Sequence, residues 1–296
     1  MHKKNWIKPL AVAFGLSVII SSCETGTPAN QVGGQPKLDS LEMAKMEELQ
    51  KIFFSIPAPM EMASLIKEMG FTYDKNLLNS TDNVAKYTGE MKQAVNLGIY
   101  GADLSYSSMF DQKQESMNYL AAAQKIAREM GVDGALDDKT IERLNNNQES
   151  RDSIMKIVSE AYSDLNGYLK ENNRIEVSAL VVAGGWMEAL YLSTTYSPAN
   201  NAKIRERIAE QKFSLDNLME YFTKFGDSAV LKEMHADLTS LQELYKDVQI
   251  TSGKTSKSQD ASGMIVIGNT SSITISDETL KKIETKVKEI RSKYIA

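Results

Sequence analysis

Apolar residues recur at every third or fourth position from Leu38 almost to the end of the chain, which is helical spacing. Leu38, Leu41, Leu49 and Ile52 set out a first amphipathic segment. Pro57 and Pro59 interrupt it. Proline suits the first turn of a helix, so they open a second one that runs through Met62, Leu65 and Ile66 to a stop at Gly70. Ser80 or Thr81 opens the next. Two longer helices, 90–110 and 112–130, form a hairpin that ends at Gly131, and Asp137 or Asp138 starts a short helix after it. Helices at 149–171, 174–195, 201–225 and 227–249 come next, the second of these apolar nearly all round.

Beyond residue 250 the pattern changes. Thr251–Ser262 is polar and predicts a linker, and Met264–Ile275 predicts a β-hairpin turning at Gly268-Asn269. A lone hairpin is marginal in water, so this one is expected to dock on the helices. A last helix, 277–294, carries an apolar stripe at Ile283, Val287, Ile290 and Tyr294, with its basic residues interleaved with acids as on a solvated face. The fold class is therefore all-α: an irregular multi-helix bundle of about ten helices with a small C-terminal β-hairpin before the final helix. No internal repeat emerges. IKEMG at Ile66–Gly70 resembles AREMG at Ala127–Gly131, but the residues after the two glycines are unalike.

The N-terminus lies outside this pattern. Lys3, Lys4 and Lys8 precede the apolar run Leu10–Ile20, which at eleven residues fits a secretory signal and falls short of the ~20 needed to span a membrane. No later segment reads as apolar enough to span one. Ile20-Ser21-Ser22-Cys23 has the form of a bacterial lipobox, and Cys23 is the only cysteine in the chain. Lipidation at Cys23, palmitate included, would anchor the protein with acyl chains worth ~0.8 kcal/mol per buried methylene. Residues 1–22 then read as signal peptide, 23–37 as a Gly/Pro/Thr-rich tether, 38–250 as the helical domain, and 251–296 as linker, hairpin and last helix packed on it. Glu24 after the cysteine leans the location toward the outer membrane, with periplasmic face or cell surface left open.

Charge and composition narrow the chemistry. Removing residues 1–22 takes three lysines from the 34 Lys and Arg and leaves all 39 acids, a net charge near −8. Nucleic acid is disfavoured as a partner, since phosphate binding draws on basic excess. The membrane, reached through the N-terminal lipid, is the expected contact, with an envelope protein or a small ligand as partner for the body. Lipidation uses the only thiol, and His235 is the one histidine past the signal, so thiol catalysis and His-rich metal centres are excluded; no cofactor and no metal are expected. Carboxylate chemistry survives, because acids are plentiful.

Two acids stand out. In Asn96–Gln112, NLGIYGADLSYSSMFDQ, a helical wheel places Ala94, Gly98, Gly101, Ala102, Ser105 and Met109 on a smooth face suited to close helix packing. Asn96, Tyr100, Asp103 and Ser107 form a polar strip on the other side. In Val177–Ser193, VSALVVAGGWMEALYLS, Glu188 has the most apolar surroundings of any acid and needs a partner or a proton. Asp103, Glu188, Tyr100 and Trp186 could line a ligand pocket or act as an acid/base pair, or each acid could be satisfied within the fold. Gly184-Gly185 in mid-helix costs about 1 kcal/mol per glycine, so a close approach must compensate.

At FFSIPAPMEMASLIKEMG (Phe53–Gly70) and NLGIYGADLSYSSMFDQ (Asn96–Gln112) the chain resembles a group of helical envelope lipoproteins of Bacteroidota-type bacteria with no assigned activity. The resemblance covers the N-terminal half best. It implies lipidation and a helical fold and carries over no catalytic residue. The expected function is a lipid-anchored, non-enzymatic binding or interaction module; the alternative is a carboxylate-based hydrolase acting on an envelope or glycan substrate.

Overall fold

Every residue from Val177 to Thr194 is buried, and the fold is built around the helix that holds them. A computed structural model describes residues 55–147, 150–196, 201–224, 229–251, 255–259, 265–269 and 272–296. The signal, Cys23, the tether and the first amphipathic segment lie outside the described residues. The helices are α1 (Pro59–Glu68), α2 (Glu90–Met109), α3 (Lys113–Glu129), α4 (Asp138–Asn146), α5 (Arg151–Glu171), α6 (Ile175–Thr195), α7 (Ala202–Lys224), α8 (Ala229–Tyr245) and α9 (Asp277–Ile295). Short 3-10 turns at Lys75–Leu77, Thr81–Lys86 and Asp133–Ala135 join some of them.

Local chemistry sets the boundaries. α1 begins at Pro59, after an extended Ala58. It ends where Gly70, at φ +80°, lets its N–H reach the Lys67 carbonyl and the Phe71 N–H reach that of Ile66. Gly131 closes α3 in the same way. Side chains of Asp137, Ser150 and Ser276 accept from the backbone N–H three residues on and start α4, α5 and α9. Ser80 does open an element, but only the six-residue 3-10 turn Thr81–Lys86.

The helix pair α2–α6 forms the centre. Around it α1 crosses both, α3 lines α2, α5 leans on both, α7 and α8 pack as a pair on α6, and α9 runs back over α6 and α8 with its end at α2. α6 corrects one expectation: with a mean hydropathy of 1.4 over its apolar window, Ile175–Thr195 is long and apolar enough to cross a membrane. Neighbouring helices cover it instead, which is why its sequence is apolar on every side.

The chain is all-α with a C-terminal antiparallel hairpin and a final helix. The hairpin is longer than expected and turns elsewhere. β1 (Gln249–Thr251) pairs with β4 (Ser272–Thr274), and β2 (Thr255–Gln259) pairs with β3 (Ile265–Asn269). Gly268 and Asn269 lie inside β3 opposite Ser256 and Thr255, so the chain reverses between Gln259 and Ile265, and part of the expected linker is strand. Backbone pairing asks nothing apolar of β2, so its polar sequence hid it. The base of the hairpin docks as expected: β4 packs on α7, and Arg205 donates to the Ile275 carbonyl at 2.8 Å while pairing with Asp277 at 2.5 Å.

Candidate functional site

The expected polar strip exists, and it faces inward. Asn96, Tyr100, Asp103 and Ser107 follow one line along α2 and are all buried. Asn96 donates to the Tyr294 carbonyl near the end of α9 (2.9 Å) and accepts from the Asn79 amide (3.1 Å). Tyr100 donates to the Ser80 carbonyl at 2.8 Å, and Ser107 to the Asp103 carbonyl one turn back at 2.7 Å. The strip is thus an internal seam that fastens the 75–86 segment and α9 to α2. Burying these groups is tolerable because each has a partner.

Asp103 and Glu188 meet in this seam. Both are fully buried, at 0% exposure. Glu188, on α6, takes a bidentate pair from Arg291 of α9: Nε to Oε2 at 2.5 Å and Nη2 to Oε1 at 2.7 Å. The same guanidinium donates to the Leu77 carbonyl at 3.0 Å and lies over the Tyr191 ring, 4.2 Å from its centroid. Asp103 Oδ2 accepts from the Asn79 N–H at 3.2 Å, while Oδ1 has no donor. Burial, and then the negative charge of Glu188, hold the Asp103 carboxyl well above the ordinary carboxylate range; Arg291 opposes this in part. With its proton kept, Asp103 can donate from Oδ1 toward the neighbouring Glu188 carboxylate, the one acceptor that its raised pKa points to. The arrangement is one proton and one cation shared by two carboxyl groups.

A perturbed acid beside a carboxylate has the makings of acid/base chemistry. Glycoside hydrolysis, however, needs the scissile bond between the two carboxyl groups. Here Arg291, Tyr191 and the Leu77 carbonyl crowd the Glu188 carboxylate, and neither acid lines the cavities of about 520 and 210 Å³.

Trp186 points elsewhere. Its indole N–H donates to Gln211 Oε1 of α7 at 2.9 Å, and its ring borders a cavity of about 210 Å³. Ile56, Pro57 and Pro59 form one wall, Ser159, Tyr162 and Ser163 of α5 another, and Val182 and Trp186 of α6 the floor. Glu61 also lines it and belongs equally to a neighbouring cleft of about 520 Å³. Met60, Leu65 and Met155 supply apolar surface to that cleft, and Glu68, Lys203, Glu206, Arg207 and Glu210 its charged rim. Met155, Ser159, Tyr162 and Ser163 share one face of α5, so the two cavities follow one groove along that helix. Long, exposed ion pairs join its walls: Arg207–Glu61 at 3.7 Å and Lys203–Glu68 at 3.9 Å.

The structure therefore divides the six candidate side chains. Asn96, Tyr100, Asp103, Ser107 and Glu188 gather in a sealed interior, and Trp186 lines an open groove on another side of α6. Arg291 and Asn79, which complete the interior cluster, escaped the sequence reading, as did Glu61 and Tyr162 in the groove. Arg291 had a signal: it sits four residues after Val287 and three before Tyr294, at an apolar position of the α9 stripe. His235 stacks on Phe222, ring centroids 6.2 Å apart, and among the described residues no three His, Cys, Asp or Glu side chains converge to hold a metal ion. No protein family matches the chain, and neither does any curated protein or solved structure.

Proposed function

We propose that the protein is a lipid-anchored component of a bacterial cell envelope whose helical body is a binding module rather than an enzyme. The lipobox-like Ile20-Ser21-Ser22-Cys23 and the resemblance to helical envelope lipoproteins support the anchoring. One observation carries the binding role: open concave space lies in the α1–α5 groove, while the acids a hydrolase would use are tied to Arg291 inside the fold. The inner cavity is mostly apolar with a few polar groups, the usual character of a small-ligand site, and it opens on a charged cleft. Chemistry on a glycan would require Asp103 and Glu188 to reach solvent, and both are fully buried.

Cys23→Ser tests the anchor. Cells expressing the wild-type chain and fed an alkyne analogue of palmitate should show label on the protein in the membrane fraction. The variant should lose the label and move to the soluble fraction. A variant that keeps the label or stays with membranes overturns the anchoring.

A further inference from the structure

The groove also specifies a charge. We propose that it binds a small organic cation with an apolar body, its ammonium group held between Glu61 and the rings of Tyr162 and Trp186; this rests on the binding-module reading above. Three features converge. The inner cavity is lined by Pro57 and Pro59 together with Tyr162, Val182 and Trp186. Aromatic faces attract cations through the ring quadrupole, most strongly when the site is partly desolvated. Glu61 is the one acid at that cavity and stands where it joins the outer cleft.

The outer cleft repeats the sign. Four glutamates, Glu61, Glu68, Glu206 and Glu210, face one lysine and one arginine there. Arg207 lies 2.8 Å from Glu210 and 3.7 Å from Glu61, and Lys203 is 3.9 Å from Glu68, while Glu206 makes no ion pair among the described residues. The Arg207–Glu61 pair is long and both side chains are exposed, so it is weak and yields readily to a ligand cation. The apolar surface of Met60, Leu65 and Met155 then receives the body of the ligand. An anion would meet four carboxylates.

The sequence supplies the readout. The chain has two tryptophans, Trp6 and Trp186. In the full chain carrying Trp6→Phe, purified in a nonionic detergent, all tryptophan emission comes from the groove. Benzyltrimethylammonium should change that emission saturably, and benzenesulfonate and benzyl alcohol at equal concentrations should not. Glu61→Gln, an exposed position where folding is not at stake, should weaken cation binding about fivefold. Tyr162→Leu should weaken it about tenfold. Binding that ignores both substitutions overturns the site. Sulfonate or alcohol binding as well as the cation overturns the ligand class and leaves a binding module standing. If none of the three moves the emission, the groove is not a ligand site, and the anchor is still judged separately by Cys23→Ser.

Discussion

α6 has two working sides, and they solve opposite problems. Toward α2 and α9 it presents Val181, Gly184 and Glu188, and everything there touches backbone or is paired, whereas a Cβ on Gly185 would first meet the Tyr162 hydroxyl of α5, at 2.6 Å. Toward α1 and α5 it presents Val182 and Trp186, which border empty space. The first side lets an acid be buried, because close packing fixes a guanidinium against it. The second side leaves an aromatic ring at a cavity, because the Pro57–Pro59 segment and α5 stand apart around it. An unusual residue in an apolar helix thus signals architecture on one side and a site on the other. The neighbours decide which.

The largest effects should come from filling the close side. A Cβ on Gly98 would stand 2.0 Å from the Val181 carbonyl oxygen, and one on Gly184 would stand 2.1 Å from that of Val95. Both obstacles are backbone and cannot rotate away, so the central helices must separate. Gly98→Ala or Gly184→Ala should destabilise by about 4 kcal/mol or more, beyond the usual range for overpacking. At Gly101 the nearest atom is Tyr162 Cε2 at 3.2 Å, a side chain that can shift, and the penalty should be about 1 kcal/mol. Urea unfolding followed by circular dichroism measures the difference. Equal effects at Gly98 and Gly101 would break the distinction between the sides.

Next comes the buried charge. Arg291→Met leaves two carboxyl groups without their cation and should destabilise by about 3–5 kcal/mol in the same assay. Glu188→Gln should cost less. Asp103 already feels Arg291 through space and can ionise beside it once the other carboxylate is gone. If the two substitutions cost the same, Asp103 is a bystander in this cluster.

These residues also mark how far the sequence was legible. The glycine face of α2 could be read in advance because glycine within a helix is unfavourable without a close neighbour, and Gly98 has one. Helix ends at Gly70 and Gly131 were readable because capping is local. The partner of Glu188 was not, for it lies 103 residues away in α9, among charges that mostly pair on the surface. Only its place in the apolar stripe set Arg291 apart. The groove left no trace at all: it is a separation between α1 and α5, and no residue type encodes space. Trp186 was chosen for its type and its neighbours, and the structure places it at a cavity that none of the other five candidates lines.

The smallest effect tests the sealed side most sharply, through its proton. An unfolded Asp titrates near 4, at about 3.9. Asp103 in the fold does so well above that, chiefly because it is buried. Between those two values the native chain holds a proton that the unfolded chain has released, so stability should fall as pH rises through this window. The contribution is fully present below the unfolded pKa and is lost as pH approaches the folded one. Asp103→Asn keeps the shape, accepts from Asn79 and donates to Glu188 as the protonated acid does, with nothing to titrate. At pH 8 the variant should match or exceed wild type in Tm, and the gap should close toward pH 4. Asp103→Ala removes the hydrogen bonds as well and should fall below wild type at both pH values, by about 1–3 kcal/mol. A wild-type Tm that rises over the same window, with Asp103→Asn below it at pH 8, would mean that Asp103 is ionised in the fold, and the shared proton would have to be abandoned.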